Sequence, residues 1–506
     1  MVHLHLLWST LALIGAIWTY LAAEAGQISY FSAYLTLNGI ILGYCGAQAW
    51  LVYQKHPEKF LLNPTIHTAI VGNIFLLVIG GSGFILPMEW GGFIGELDIW
   101  FVMWMTLYAG GMVALWSGYW SRWAVKLGHR LRSSASLKRV LRPEFRVNPE
   151  VLWLFFGVGV ACILAMITLG IYGYSRDPFQ AERYVGIQQY LTIGRDLVPL
   201  VLLVLALQFF SGGQQGRRAL LGLSVVFLIS VFAGFLSGFK SQVVMPILIV
   251  GLAHYVVRDR IPNWMLPIGI VLLLSAYSVI EPFRDARKSD AQFQSQNLFY
   301  IVEVMFGTEN ASGTKDSPAL QDKASHFVSA QSPIALWSRG LEYHAWHDGL
   351  PASAPGFGRN ILLSPLLAVV PRAIWPGKPE AIYGNWYYVE VLGNFGETSV
   401  SISGVTSLYF VGGWPAVMIG FFVFGMLQRG LFQGLVPLGA GGVLVFLGLF
   451  SGLRGFEVFH VLIVDLLRTL PLMLLVQSLL LKKSAARPSA LISASWLSGT
   501  SIRRGM

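Results

Sequence analysis

Charged residues and cysteines are both scarce in this chain. Only 12% of its 506 residues are charged, whereas 55% are hydrophobic and the mean hydropathy is +0.61. A soluble domain carries roughly twice this share of charged residues, so the composition excludes an ordinary soluble protein. Cys45 and Cys162 both fall inside apolar runs, where packing is their expected role, and they do not report a redox compartment.

Apolar runs longer than about 18 residues recur along the sequence, and each is long enough to cross a bilayer. The first run has no basic segment before it and no convincing cleavage site, so we expect a transmembrane helix rather than a signal peptide. The predicted fold class is an all-α polytopic membrane protein with about twelve transmembrane helices. Their approximate residues are 4–22, 29–53, 66–87, 99–120, 151–171, 196–211, 219–237, 242–257, 264–281, 404–426, 435–453 and 459–481.

Basic residues set the orientation that we predict for these helices. The connection after the fourth span carries eight cations against one acid, Glu144, and this density is typical of a cytoplasmic loop. Loops predicted on the same side also hold cations, whereas the early loops on the other side hold only acids. The cations after the fourth span are Arg122, Lys126, Arg130, Arg132, Lys138, Arg139, Arg142 and Arg146; those of the other inner loops are Lys55, Lys59, Arg217, Arg218, Arg258, Arg260 and Arg429; the outer acids are Glu24, Glu96 and Asp98. We therefore expect both termini in the cytoplasm.

No membrane-length apolar run occurs between Glu281 and Gly404, a stretch of about 120 residues. Long loops are usually functional. This one contains a rigid, cationic and aromatic segment, Pro371–Pro379, with the sequence PRAIWPGKP. We divide the chain into membrane helices at 1–281, an extracytoplasmic loop subdomain at 282–403, membrane helices at 404–481 and a cytoplasmic tail at 482–506.

Several cations break the charge bias, because they lie on the predicted outer face. They are Lys240 in a short hairpin, Arg284 and Arg287 after the ninth span, Arg372 and Lys378 in the Pro371–Pro379 segment, and Arg454 in the last outer hairpin. Arginine binds phosphate oxygens through two parallel hydrogen bonds, and lysine supplies a compact charge. We predict an anion site on this face; pairing with outer acids or lipid headgroups is the alternative.

Aromatic residues are frequent in the long loop, among them Trp375, Trp386 and Tyr387. Aromatic faces stack on sugar rings, and they also anchor proteins at the headgroup level, so both roles stay open. His344 and His347 could align on one helical face, but no third metal ligand is evident, and we expect no metal.

Residues 220 to 425 resemble the O-antigen and exopolysaccharide repeat-unit polymerases of the Wzy type. The features that carry the resemblance are the Pro371–Pro379 segment, the hairpin Ser237–Lys240, the pair Arg284 and Arg287, the loop end Gly396–Ser399, and the following helix entry Leu408–Pro415. The sequence departs from the pattern at Lys240, where arginine is more usual, and the exact role of that position is open.

The resemblance implies a GT-C-like enzyme of the bacterial inner membrane that works without a cofactor. It would move a growing glycan from undecaprenyl pyrophosphate onto the next lipid-linked repeat unit. By this resemblance Arg284, Arg372 and Arg454 would stabilise the leaving group, with Lys240, Arg287 and Lys378 binding pyrophosphate. Glu342, His344, His347 and Glu397 are the candidate bases, and Trp375, Trp386 and Tyr387 would bind sugar.

The expected partners are the lipid-linked oligosaccharide, membrane lipid and a polysaccharide chain-length regulator. No nucleic acid is expected, because the inner-face bias and the outer cations account for the net charge of +10. A flippase or exporter of lipid-linked oligosaccharide is the main alternative, and an outer-face glycan ligase is a nearer one. A membrane acyltransferase is a third; it would use a histidine within or beside a span, and His254 lies near the cytoplasmic end of one in an unremarkable setting.

Overall fold

The computed structural model describes residues 2–55, 57, 60–79, 98–173, 183–211, 216–265, 267–272, 275–276, 280, 334–370, 374–375, 377–379, 383–394, 400–453 and 459–482. Within these ranges the chain folds into helices and forms no β-strand. Nine helices in the same ranges are long and apolar enough to cross a membrane, namely His3–Glu24, Tyr30–Lys55, Ile99–Trp120, Pro149–Thr168, Gly186–Phe210, Ala219–Leu236, Lys240–Arg258, Gly404–Leu438 and Phe459–Leu480. The prediction of an all-α protein with several membrane-spanning helices is confirmed.

Three predicted spans have no counterpart among those nine helices. The spans predicted at 66–87 and 264–281 extend into residues outside the described ranges. The span predicted at 435–453 is instead a helix of 14 residues, Ala440–Leu453. Such a helix is about 21 Å long, whereas the hydrocarbon core of a bilayer is roughly 30 Å thick.

In chain order the first helices are α1 (Val2–Glu24), α2 (Tyr30–Lys55), α3 (Pro64–Ile66), α4 (Ile99–Trp120), α5 (Arg122–Ser133), α6 (Ala135–Val140), α7 (Pro149–Thr168), α8 (Val185–Arg195), α9 (Leu197–Phe210), α10 (Gly216–Leu236) and α11 (Lys240–Arg258). The later ones are α12 (Ile334–Trp346), α13 (Phe357–Val369), α14 (Gly384–Trp386), α15 (Gly404–Leu435), α16 (Ala440–Leu453) and α17 (Phe459–Leu480). Two short helices continue as π-helical turns: α3 through His67–Gly72 and Ile74–Ile79, and α14 through Tyr387–Val391.

The helices form two compact units. The first unit comprises Met1–Arg146, Ala324–Val370 and Gly377–Met506, so it combines α1–α6 with α12–α17. The second unit comprises Val147–Lys323 and Pro371–Pro376 and contains α7–α11. The first unit is therefore built from both ends of the chain.

Helix α4 lies at the centre of the first unit and packs against α1, α2, α12 and α15. Its Trp104 and Trp116 side chains are fully buried. The backbones of α4 and α15 touch, because a Cβ added to Gly118 would overlap the carbonyl of Phe422, and one added to Gly425 would overlap that of Leu115. Small residues allow such close packing of helices in a membrane, where lipid removes the hydrophobic drive to associate.

Helix α15 is interrupted and unusually long. Gly413 has φ +63°, a left-handed conformation that favours glycine, and the regular helix resumes after it. The second part runs on to Leu435 and contains Arg429, which the sequence had suggested for a cytoplasmic loop. That part of the prediction was wrong, because a polar pair, Gln428 and Arg429, resembles the end of a span.

Arg429 instead lies inside the packed helices and is only 8% exposed. Its Nη1 donates to the Tyr119 carbonyl oxygen at 2.7 Å, in the last turn of α4. The guanidinium also lies over the rings of Tyr119 and Trp120, 5.0 and 5.4 Å from their centroids. A helix-end carbonyl and two aromatic faces thus replace part of the water that this cation loses.

In the second unit, α9 packs against α7, α10 and α11. A tight hairpin joins α10 to α11, in which Gly238 has φ +68° and Ser237 Oγ accepts a hydrogen bond from the Phe239 N–H at 3.2 Å. A short hairpin was predicted around Lys240, and the structure confirms it, although Lys240 itself is the first residue of α11. The Tyr172 hydroxyl donates to the Ala233 carbonyl oxygen at 2.9 Å. This bond joins the segment after α7 to the last turn of α10, just before the hairpin.

Candidate functional site

A charged network lies at the end of the first unit where α4 begins. Arg339 of α12 contacts Glu342 at 2.6 Å and Asp98 at 3.3 Å. Asp98 also caps α4, since its Oδ1 accepts a hydrogen bond from the Phe101 N–H at 2.8 Å. One arginine therefore ties α12 to the start of α4, and Glu342, a predicted base, is occupied by an ion pair.

Three further hydrogen bonds hold α12 in place. The Tyr387 hydroxyl donates to the Leu336 carbonyl oxygen at 2.6 Å. Trp337 Nε1 donates to the Ser401 carbonyl oxygen at 2.7 Å, and its own carbonyl accepts a bond of 3.0 Å from Thr406 Oγ1. Helix α12 is thus attached at several points to the rest of the first unit.

His344 lies on α12 and packs against two rings of α15. Its centroid is 5.1 Å from that of Tyr409 and 6.1 Å from that of Phe410. The residue is half-buried, and this burial lowers the pKa of the imidazole from its usual 6.5. The ring is therefore neutral at pH 7 and able to accept a proton.

His347 has a different environment from His344. It follows the end of α12, where its Nδ1 approaches the Tyr343 carbonyl oxygen to 2.8 Å and its ring lies 4.1 Å from the Tyr343 ring. The two histidines thus contact different neighbours. In the described part of the chain, no three His, Cys, Asp or Glu side chains are grouped to hold a metal ion.

An aromatic cluster adjoins His344. It consists of Phe357, Tyr383, Tyr387 and Phe410, with Trp386 packed against them. Trp386 is half-buried, and its ring centroid lies 5.8 Å from that of Phe357 and 6.2 Å from that of Phe410. Its indole N–H is buried and finds no acceptor among the described residues. Trp386 is the partly exposed ring of the cluster, because the other four are buried.

The predicted sugar-binding residues differ in accessibility. Tyr387 is fully buried and its hydroxyl is bonded within the core, so this ring supports α12 rather than presenting a face. Trp375 is half-buried and belongs to the second unit. Trp386 is the one of the three that is both partly exposed and in the same unit as His344.

Both of the predicted pyrophosphate-binding lysines can be placed. Lys378 Nζ donates to the carbonyl oxygens of Leu367 and Val370 at 2.7 and 2.8 Å, which caps the end of α13. Lys240 is half-buried at the first position of α11, in the second unit. The remaining predicted site residues lie outside the described ranges and stay predictions: Arg284, Arg287, Arg372, Glu397 and Arg454.

Sequence reasoning missed the roles of Arg339 and Asp98. The spacing of Arg339 and Glu342 is a usable signal, because residues three apart face each other on a helix. Nothing in the sequence links Arg339 or Glu342 to Asp98. His254, considered for an acyltransferase, approaches the Arg260 carbonyl oxygen through Nδ1 at 2.9 Å and packs on Phe210, 4.8 Å between centroids.

The protein is therefore a helical membrane protein. One end of its first unit carries a group of ionisable and aromatic side chains around Glu342 and His344. Residues 164–487 match the family described as Domain of unknown function (DUF8712), and the chain belongs to that family. No curated protein and no solved structure matches the chain.

Proposed function

We propose that this protein polymerises undecaprenyl-pyrophosphate-linked oligosaccharide repeat units into O-antigen, exopolysaccharide or capsule. It acts as a metal-independent, GT-C-like glycosyltransferase at the outer face of the bacterial inner membrane, with both termini in the cytoplasm. Its other partners are membrane lipid and a polysaccharide chain-length regulator. The sequence resemblance in residues 220 to 425 motivates this assignment, and the site at the start of α4 gives it a chemical basis.

The observation that carries the proposal is the placement of His344. A neutral imidazole lies on α12, next to Tyr409 and to the aromatic cluster that contains the half-buried Trp386. Glycan acceptors need ring faces for stacking and a base for one hydroxyl. The predicted topology places this end of α4 on the outer face, where nucleotide sugars are absent and a lipid-linked donor is required.

The reaction exchanges one bond at the anomeric carbon. The acceptor hydroxyl loses its proton to His344 Nε2 or Nδ1 while its oxygen forms the new bond to the anomeric carbon of the donor glycan. The bond from that carbon to the pyrophosphate oxygen breaks, and its electron pair leaves with the carrier lipid. The predicted cations Arg284, Arg372 and Arg454 supply the positive charge for this leaving group.

Purified protein in liposomes tests the proposal. Lipid-pyrophosphate-linked repeat units should be converted into longer lipid-linked glycans without any nucleotide sugar, and a chelator should leave the rate unchanged. Analysis of the products by gel electrophoresis and mass spectrometry reports chain length. If the lipid-linked units are never lengthened under any condition in which the protein is folded, the proposal is wrong.

A flippase is the second candidate, and the break in α15 favours it. Interrupted helices are typical of transporters, whose half-helix ends bind substrate near the bilayer centre. The break at Gly412 and Gly413 falls within a membrane-spanning helix. A fluorescent lipid-linked repeat unit separates the two candidates: a flippase moves it intact across the liposome membrane, whereas a polymerase lengthens it on one side.

A further inference from the structure

The helix that follows α4 has two chemically different faces. Ala124 and Gly128 of α5 are buried, and the neighbouring Leu127 and Leu131 pack on Gly430 and Gly434 of α15. These contacts fix α5 along the end of the first unit.

The opposite face of α5 is basic and partly apolar. Its exposed cations, together with those of α6, are Arg122, Lys126, Arg130, Arg132, Lys138 and Arg139. Trp123 is 66% exposed between them, with Lys126 Nζ 5.4 Å from its ring centroid, and Val125 is 45% exposed. From Arg122 to Arg146 the sequence offers one acid, Glu144, and Arg146 contacts it at 3.1 Å.

Helix α5 follows directly after α4, and this determines its depth in the membrane. The membrane-spanning α4 ends at Trp120, and Ser121 caps α5, its Oγ accepting a hydrogen bond from the Ala124 N–H at 3.2 Å. A single residue thus separates a bilayer-crossing helix from the basic one. The basic face therefore begins at the level of the headgroups.

We propose that the solvent-exposed face of α5 and α6, the basic platform, binds the headgroups of anionic phospholipids such as phosphatidylglycerol. Lysine and arginine bind the phosphates, and Trp123 and Val125 enter the boundary between headgroups and acyl chains. An acidic protein would also be attracted by the charge, but it leaves exposed Trp123 and Val125 unexplained. The proposal is independent of the polymerase assignment.

Lipid retention measured by native mass spectrometry tests the platform. The purified full-length protein is titrated with phosphatidylglycerol and with phosphatidylcholine of identical acyl chains. The wild type should prefer phosphatidylglycerol, and added salt should weaken that preference because exposed charges are screened. Each cation near an anionic surface contributes about fivefold, so Lys126→Gln with Arg130→Gln should weaken phosphatidylglycerol binding about twenty-fivefold.

Arg258→Gln with Arg260→Gln is the matched control, because Arg258 is the last residue of α11, Arg260 follows it, and neither belongs to the basic face of α5. It should weaken phosphatidylglycerol binding less than the α5 variant does. Trp123→Ala should weaken binding of both lipids without any change of charge. Equal losses in both double variants, a wild type without lipid preference, or a soluble acidic polypeptide competing while Trp123→Ala has no effect would each overturn the proposal.

Discussion

His344 and Glu342 lie two positions apart on α12, yet their surroundings give them different chemistry. Arg339 holds the Glu342 carboxylate at 2.6 Å, whereas the imidazole of His344 packs beside two aromatic rings and its burial lowers its pKa. An ion-paired carboxylate is a weaker proton acceptor than a neutral imidazole near pH 7. We therefore expect His344 to act on the acceptor hydroxyl and Glu342 to position α12.

Replacing His344 tests this division of roles. His344→Gln should lower the rate of chain extension about hundredfold or more, since a general base typically raises a reaction rate by a factor of about 10² to 10⁴. A base acts in its deprotonated form, so wild-type activity should fall as the pH drops through the pKa of His344, which burial has moved below 6.5. His347→Gln is the matched control and should keep both the rate and the pH profile. An unchanged rate in His344→Gln would remove this residue from the chemistry.

The predicted cations of the long loop are tested in the same assay. Arg284→Ala and Arg372→Ala should each reduce polymer synthesis about hundredfold, the usual cost of a lost partner of a leaving group. Lysine at either position should restore part of the activity if charge alone is needed, and none if a bidentate contact is needed. Both alanine variants should still insert in the membrane, and normal polymer from both would contradict the cation hypothesis.

At the scale of the helix, hydropathy predicts positions well and packing poorly. A run of apolar residues is dictated by the lipid around it, which is why nine predicted spans have counterparts in the structure. The partners of each helix depend on a few small or polar residues that carry no local signal. Gln428, for example, hydrogen-bonds to Thr65 and Thr68 at 2.8 and 2.9 Å, and no sequence pattern in either segment predicts these bonds.

The same contrast applies to the site. The long loop, its aromatic residues and His344 are visible in the sequence because they depart from a membrane-spanning composition. The capping role of Lys378 and the core position of Tyr387 are not, because each follows from a contact with a distant carbonyl. Residue type predicts which interactions a side chain can make, and only the fold decides whether the side chain already makes them within the protein.

The glycine contacts between α4 and α15 give a stability prediction. Gly118→Ala places a methyl group against the Phe422 carbonyl, so the helix backbones must separate. Overpacking of this kind costs about 1–3 kcal/mol in the free energy of unfolding. Thermal unfolding in detergent measures it. Gly43→Ala on α2, where no atom lies within 4 Å of the added carbon, is the control and should be neutral or slightly stabilising.

For the whole molecule, orientation in the membrane is the property on which the functional assignment depends. The basic residues of α5 and α6 are expected in the cytoplasm, and the stretch outside the described ranges around Leu320 is expected on the other side. A background of Cys45→Ala and Cys162→Ala removes both native thiols. In it, Ala135→Cys should react with a membrane-impermeant reagent only from the cytoplasm, and Leu320→Cys only from outside. The reverse pattern would exclude chemistry on the outer face.

The assembly of the first unit from both ends of the chain has a consequence for biosynthesis. The glycine seam of α4 cannot be covered until α15 has been made, roughly 300 residues later, which takes about 15–60 s at common rates of translation. During that interval α4 is already in the bilayer with an unmatched polar and small-residue face. The nascent protein therefore depends on the insertion machinery, or on lipid, to shield this face until the ribosome has delivered its partner helix.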